Sequence, residues 1–584
     1  MSAAEMRALG WRELDVLLVA GDAYIDHPAC GAALLGRWLV AHGYRAGIVA
    51  QPRWDGPADV MRMGRPRLFS GVTAGSLDSM LAHYTAFRKL RQDDAYTPGG
   101  AAGARPNRTV LVYASLVQHA FPGLPVVLGG VEASMRRAAH YDFWSDRVRR
   151  SILLDSKADV LVYGMGERAI LEIARRLDDG TEGGRRRLRQ VPGTAFAADA
   201  AEKDAVPAGA ASCELPSFET IVKEPAALME ATLRMEQSLH RGVVWVTQAS
   251  DRRRVVFAPP SALLAEKEMD ALYALPFARR PHPAYTRPIP GFEMIQFSVT
   301  THRGCAGGCS FCAIAQHQGR TIQSRGRDSV VQEVRRLARH PDWGGGLTDV
   351  GGPSANMWRA RCAGPRADCR RVSCLFPEIC PHFKADQATL GRLLVELAGL
   401  PGVRHVRVAS GVRHDLAMAD KGYFQLLAAR FTGGQLKLAP EHCVDSVLRL
   451  MRKPAFAMFE AALAYFKACS KEAGKEQYIL PYLISAFPGC TEEDMRKLAA
   501  WLRRQGWSPQ QVQCFIPTPG TVATAMYHAA ISPDGRPIHV ARSDAERLRQ
   551  HYLLAPRPDG RAAPGAPQAR GAGAARRGPS ARKR

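Results

Sequence analysis

Residues 296–320 read QFSVTTHRGCAGGCSFCAIAQHQGR. A β-rich run at residues 296–300 leads into a glycine-rich loop with three cysteines spaced C-x3-C-x2-C, at Cys305, Cys309 and Cys312. A ligand-bearing loop just after a strand is the plan of open α/β sheets, where ligands gather at the carboxyl ends of parallel strands. The chain downstream repeats the plan. The runs LTDVGG, HVRVAS, LKLAP, QYILPYLIS and VQCFIP alternate with helical patterns such as DSVVQEVRRLAR, PAFAMFEAALAYFKACS and TEEDMRKLAAWLRRQ. Six strand and helix repeats over residues 291–554 predict a partial (β/α)6 barrel with the cysteine loop after its first strand.

Upstream, DVLLVAGD, GAALLGRWLVAHGY and RAGIVAQ form a strand, helix, strand unit. RLFSGVT, TVLVY, PVVLGGV and ADVLVYGMGE read as further strands, the last leading into the helix-like AILEIARRL. The class is therefore α/β throughout, with a doubly wound amino-terminal domain over residues 1–260. Residues 92–108 are a Gly-, Ala- and Pro-rich loop within it, and residues 178–260 lose the alternation and carry the charge runs GRRRLR and DRRRV. Residues 261–290 read as a linker, and residues 555–584 as a disordered basic tail with almost no large apolar side chains.

Lysine plus arginine exceed aspartate plus glutamate by 79 − 55, or +24, which favours a polyanionic partner such as RNA. Arginine and alanine bias of a GC-rich coding sequence yields such an excess without binding, and the tail alone contributes seven Arg and one Lys against one Asp. No apolar run reaches the length of about 18 residues that spans a bilayer, and the first residues lack the pattern of a secretory signal. These features predict a soluble, cytoplasmic protein with no membrane partner. Thirteen cysteines, mostly grouped, point in such a compartment to metal binding or catalysis over disulfides.

Thiolates are soft ligands suited to zinc, copper(I) or iron–sulfur clusters. Gly304, Gly307 and Gly308 allow the tight turns that wrap a loop around one centre. A four-iron cubane takes four outside ligands, so three cysteines leave one iron open to an exchangeable group. A structural zinc completed by His302 or His317 is the competing reading. A second group, Cys362, Cys369, Cys374 and Cys380, lies with His382 in an insertion at residues 353–386. Its irregular spacing leaves zinc, a second iron–sulfur cluster and plain reduced thiols all open. Cys30, Cys213, Cys443, Cys469, Cys490 and Cys514 are scattered and read as packing residues.

C-x3-C-x2-C with Phe311 before the last cysteine, placed after the first strand of a six-repeat barrel, resembles the radical S-adenosylmethionine (SAM) superfamily. GDAYIDHPACG, RGCAGGCSFCAIAQHQGRTIQSRG, GGPSANMWR, SGVRHDLA, LKLAPEHC and FIPTPGTVATAMYH, in this order, resemble the YgiQ-like family of radical SAM proteins across nearly the whole chain. The resemblance implies a 4Fe-4S cluster on Cys305, Cys309 and Cys312 whose open iron takes S-adenosylmethionine. It further implies reductive cleavage to a 5′-deoxyadenosyl radical acting on an unknown substrate, with a low-potential electron donor such as flavodoxin or ferredoxin.

For the cofactor site the resemblance implies Gly351 and Gly352 against the methionyl amine, with Pro353 where many members have glutamate. It also implies Ser410 at a ribose hydroxyl, Glu441 at the ribose or carboxylate end, and Phe311 at adenine. Ser410 and Glu441 could instead cap the following helices, and Phe311 could be a core aromatic. LAPEHCVDSVLRLMRKP and PTPGT look like segments of methylthiotransferases that modify tRNA and a ribosomal protein, which implies an RNA or protein substrate.

The amino-terminal domain resembles the cobalamin-binding domain of several radical SAM families. Its D-x-H-x-x-G pattern is absent, because Asp26 and His27 are adjacent and Gly31 follows four steps later, so cobalamin is expected not to bind. A reading from a different class is a non-catalytic zinc protein that binds nucleic acid through its arginines.

Overall fold

The computed structural model describes residues 2–180, 184–509 and 512–554, so the basic tail at 555–584 lies outside the described residues. The amino-terminal half is built on a nine-stranded sheet in the order Ala46–Ala50, Val16–Ala20, Phe69–Thr73, Val126–Gly129, Val160–Val162, Thr194–Asp199, Arg253–Phe257, Trp245–Ser250, Ser212–Leu215. The first five strands are parallel. Their side chains alternate between two cores: Leu17 and Val19 meet the helix Thr109–Ala120, whereas Val16 and Leu18 meet the helices Gly31–Ala41 and Glu167–Asp178. Burial on both faces explains why the strands read as continuous apolar runs.

Two expectations for this half change. TVLVY is not a strand but the first half of the 12-residue helix Thr109–Ala120. Its β-branched residues satisfy a period of 3.6 as well as a strand pattern, burying Val110, Tyr113, Ala114 and Val117 on one face. The helix start is held from outside the segment: Thr109 N–H donates to Ser79 Oγ at 3.1 Å and Val110 N–H to the buried Glu132 carboxylate at 3.0 Å. Within residues 178–260, where alternation is lost, the described residues extend the same sheet through three antiparallel pairings and a parallel one between Ser212–Leu215 and Trp245–Ser250, the 17-residue helix Pro225–Arg241 joining those two strands.

In the carboxyl-terminal half, Ser298–Thr300 pairs in parallel with Asp349–Gly351, and Gly346–Leu347 with His405–Val406. A parallel bridge, Val412 to Leu438, then connects to the run Gln435–Glu441, Tyr478–Ser485 and Val512–Cys514. The six strand positions thus follow one another in sequence order as an open parallel arc. Helices expected between them form, including Arg327–Leu337, Phe456–Glu472 and Glu492–Arg504. Thr491 starts the last with a reciprocal box, accepting from Asp494 N–H while Asp494 accepts from Thr491 N–H.

Residues 261–290 lie against the amino-terminal half. The helix Glu266–Ala274 packs Met269, Leu272 and Tyr273 on Leu34. Asp26 accepts from Ala278 N–H and from Arg37, and the His27 ring bonds Arg279 Nη1 at 2.9 Å. The adjacent Asp26 and His27 are therefore the anchor of this segment.

Candidate active site

The cysteine loop is pinned at both ends. Cys305 N–H donates to Gly319 carbonyl at 3.1 Å, Cys312 N–H to Cys309 carbonyl at 3.1 Å, and Ser310 Oγ to Leu450 carbonyl at 2.7 Å. Gly304 and Gly308 have φ of 86° and 57°, and a Cβ on Gly304 would stand 2.3 Å from Thr321 carbonyl oxygen, so the turn needs glycine there. A Cβ on Gly307 would lie 3.4 Å from Cys305 Sγ and 3.7 Å from Cys309 Sγ, which shows both sulfurs turned toward the same glycine. Burial pushes the Cys305 thiol up and the Cys312 thiol to about 12, and the neighbouring thiols add to both shifts.

One cation faces this sulfur set. Arg413 Nη1 stands 3.7 Å from Cys309 Sγ, its Nε donates to Asp415 Oδ1 at 3.0 Å, and its backbone N–H donates to Asn356 Oδ1 at 2.9 Å. Arg413 and Asp415 are both buried. Burial raises the Asp415 carboxyl, and Arg413 overrides this and holds it at about 2, so the pair stays ionised. Neither residue was assigned a role from sequence, although both sit in SGVRHDLA; a buried Arg-x-Asp at a strand end is the signal that was available. Ser354 is a second addition, with its Oγ 3.6 Å from Cys305 Sγ.

The expected cofactor positions behave differently from one another. Gly351 ends its strand, and a Cβ on Gly352 would lie 2.6 Å from His302 carbonyl oxygen and 2.7 Å from its Nε2, so Gly352 makes room for His302. Ser410 caps no helix. Its hydroxyl donates to Asp349, whose Oδ1 also accepts from Ala409 and Ser410 N–H at 2.8 and 3.0 Å. Glu441 is also no cap: it is buried at φ 69°, with Lys453 Nζ at 3.6 Å. Burial raises its pKa and Lys453 opposes the rise. The Phe311 ring meets Phe487 edge-on at 6.2 Å, as a core aromatic does.

His302 Nε2–H donates to Ser354 carbonyl at 3.0 Å and its Nδ1 pairs with Thr301 Oγ1, while His317 Nδ1 pairs with Ser134 Oγ at 2.9 Å. Burial holds both rings neutral, with pKa values of about 4. His302 is thus engaged at both ring nitrogens and His317 at Nδ1, and among the described residues no group of three His, Cys, Asp or Glu is placed to hold a metal ion.

A cavity of about 520 Å³ lies between the two halves. One wall is the carboxyl ends of the parallel strands at Asp22, Gly75, Gly130 and Gly164, and the other is the barrel strand ends at Gly352 and Ser410. The first two strand ends flank the position where strand order reverses, the usual ligand crevice of an open α/β sheet. The halves are joined at its edge by a buried ion pair, Arg303 with Glu167, and by the His317 to Ser134 bond.

A parallel sheet with a ligand crevice facing the barrel strand ends defines the class, and a family model described as Radical SAM N-terminal matches residues 1–298. A UPF0313 protein of Geobacter sulfurreducens is 50% identical over 550 residues, covering 93% of this chain and 90% of the relative. One from Methanosarcina acetivorans is 44% identical over 579 residues, covering 95% and 78%. The chain belongs to the UPF0313 family, the YgiQ-like radical SAM proteins. Among solved structures, the radical S-adenosylmethionine methyltransferase TsrM from Kitasatospora setae, with cobalamin and a [4Fe-4S] cluster bound, matches at TM-score 0.50 and 16% identity. The match covers 92% of this chain and 81% of that one.

That likeness is one of fold, and it corrects the expectation that cobalamin does not bind. The expectation rested on a histidine spacing at Asp26 and His27, residues that here anchor 278–280 and do not line the cavity. The crevice is made by strand ends and glycine turns, and Pro28, Ala29, Cys30 and Gly31 of this segment line it without those two residues. Among the described residues no helix is long and apolar enough to cross a membrane.

Proposed function

We propose that this chain is a radical SAM enzyme. Cys305, Cys309 and Cys312 hold a 4Fe-4S cluster, and the strand ends at Gly351, Gly352, Ser410 and Glu441 hold S-adenosylmethionine at its open iron. Bound together, the two cofactors supply one-electron reductive cleavage of S-adenosylmethionine and a 5′-deoxyadenosyl radical for hydrogen abstraction, the electron coming from a donor such as flavodoxin or ferredoxin. The observation that carries the reading is the set of three cysteines on one loop, two of whose sulfurs face Gly307, beside the buried cation Arg413.

The chain's own residues do the positioning. Arg413 offsets thiolate charge in a site that excludes water. The Asp349 and Ser410 pair presents oxygen acceptors at the cavity wall, suited to hydroxyl groups, and Lys453 keeps a cation beside Glu441. The amino-terminal half covers the barrel mouth and bounds the substrate space. RNA or protein is the substrate class to test first. In a Cys309→Ala protein reconstituted without oxygen, bound iron should fall by about four per chain and 5′-deoxyadenosine formation should vanish. Wild-type iron content with continued cleavage would overturn the reading.

A second reading concerns the cavity, for which we propose cobalamin as a ligand. It is favoured by the crevice at the parallel strand ends facing the barrel. Among the described residues the only histidines lining this space are His302 and His317. His302 has both ring nitrogens bonded, to Thr301 and Ser354, whereas His317 is bonded at Nδ1 to Ser134.

A further inference from the structure

The insertion at 353–386 is fastened to the cysteine loop. Cys374 N–H donates to Ala306 carbonyl at 3.1 Å, Ser373 Oγ to Gly307 carbonyl at 2.6 Å, and Arg320 Nη2 to Arg371 carbonyl at 2.7 Å. Regular structure in the insertion is confined to a short 3-10 turn and two two-residue strands, Arg361–Cys362 and Phe383–Lys384. Those strands set Cys362 opposite Phe383, whose N–H donates to Cys380 carbonyl at 2.8 Å, while Cys380 N–H donates to Cys374 carbonyl at 2.8 Å. Three of the four cysteines are thereby drawn together by backbone closure, and Cys369 acts electrostatically on the same Cys374 thiol.

The surroundings of these thiols carry charge that nothing balances. Arg320 is 8% exposed, its Nε has no hydrogen-bond partner among the described residues, and no carboxylate there pairs with it. The acidic group that acts on it, Glu236, is already taken by Arg452 at 2.7 Å. Arg366 donates to the carbonyls of His240 and Leu239 and likewise has no carboxylate, and both ring nitrogens of His240 are unpartnered. Burial pushes the His240 ring down to about 3, with Arg320 and Arg366 adding to the shift. A buried cation without a counter-charge is costly, by several kcal/mol in order of magnitude. Four neutral thiols do not supply that counter-charge. Four thiolates around a metal centre do.

We propose that Cys362, Cys369, Cys374 and Cys380 hold a second iron–sulfur cluster, seated directly on the cysteine loop and charge-balanced by Arg320 and Arg366. A polynuclear centre takes each thiolate on a separate iron. Zinc would instead take all four thiolates on one ion, and the metal content of the reconstituted protein separates the two. Cys362 is exposed and Cys374 and Cys380 are buried, so the centre reaches from solvent to the loop of Cys305. The proposal stands independently of the first cluster.

The test uses the full chain, reconstituted without oxygen with iron and sulfide and desalted, with iron, acid-labile sulfide and zinc measured per chain. Wild type should hold about eight irons, and the Cys305→Ala/Cys309→Ala/Cys312→Ala variant about four with matching sulfide. Adding Cys374→Ala and Cys380→Ala should remove the rest. Cys362→Ser, at an exposed position outside the core, should change the electron paramagnetic resonance spectrum of the iron that remains in the triple variant.

A triple variant without iron, one that takes up about one zinc instead, or a spectrum indifferent to Cys362→Ser would overturn the second cluster. Wild type and triple variant both holding about four irons would sink the first cluster and leave the second standing.

Discussion

The Arg413 guanidinium is locked by Asp415 and stands 3.7 Å from Cys309 Sγ, inside a buried loop. A fixed positive charge at that distance favours the more negative, reduced form of a bound cluster and raises its reduction potential. Removing Arg413 alone would strand a buried carboxylate, so the informative variant is Arg413→Gln with Asp415→Asn. Its cluster should titrate lower by roughly 60 mV, equivalent to about 1.4 kcal/mol for one electron, in redox titrations followed by electron paramagnetic resonance. An unshifted midpoint at wild-type iron content would remove Arg413 from the electrostatics of the site. At this scale the grouping of Cys305, Cys309 and Cys312 was readable from C-x3-C-x2-C. Arg413 was not, since its meaning depends on a sulfur 104 positions away. Ser410 and Glu441 were readable as strand-end residues and Phe311 as the aromatic beside the last cysteine, while their partners Asp349, Lys453 and Phe487 appear only with the fold.

Asp15 works on an element. Arg45 N–H donates to its carboxylate at 2.8 Å, the Arg45 guanidinium bonds both its oxygens, and Arg67 Nε bonds Oδ1 at 2.9 Å. These contacts gather the starts of three neighbouring parallel strands at Val16, Ala46 and Phe69. Burial raises the Asp15 pKa, and Arg45 and Arg67 more than reverse this, holding it at about 2 against an ordinary 3.8. A carboxyl depressed in the folded state stabilises it above its unfolded pKa and loses that contribution as pH falls through the folded value. Asp15→Asn should therefore be less stable than wild type in urea at neutral pH. The two should converge as pH drops from about 4 to about 2. A constant gap across that range would count against the clamp.

Strand and helix order was largely legible at this level because buried parallel strands are dense in Val, Leu and Ile. TVLVY failed because four β-branched and aromatic residues around Leu111 fit both periods, and the helix is decided by Ser79 and Glu132, far away in sequence. The mixed extension after residue 178 was hidden for another reason: several of its positions are exposed and polar, as at Ser212, Glu214 and Arg253.

The molecule as a whole is organised around the space between its halves. Because the crevice wall is made of strand ends and the opposite wall of barrel loops, a ligand there touches both halves at once. Hydroxocobalamin incubated with the protein and desalted should remain bound near one equivalent, as read from its absorbance spectrum. Complete loss on desalting would dismiss the corrin from this cavity. No residue pattern shows such a space in advance, since it belongs to two segments whose approach is set by pairs such as Arg303 with Glu167.

That pairing also bears on the order in which the protein is made. Glu167 and Ser134 belong to the sheet half, which leaves the ribosome well before Arg303 and His317, and amino-terminal domains fold first during synthesis. The cysteine loop is thus delivered onto a floor already assembled, with partners waiting on both of its flanks. Its thiols meet their neighbours soon after they emerge, and the cluster we propose for them would be loaded late in the life of the nascent chain.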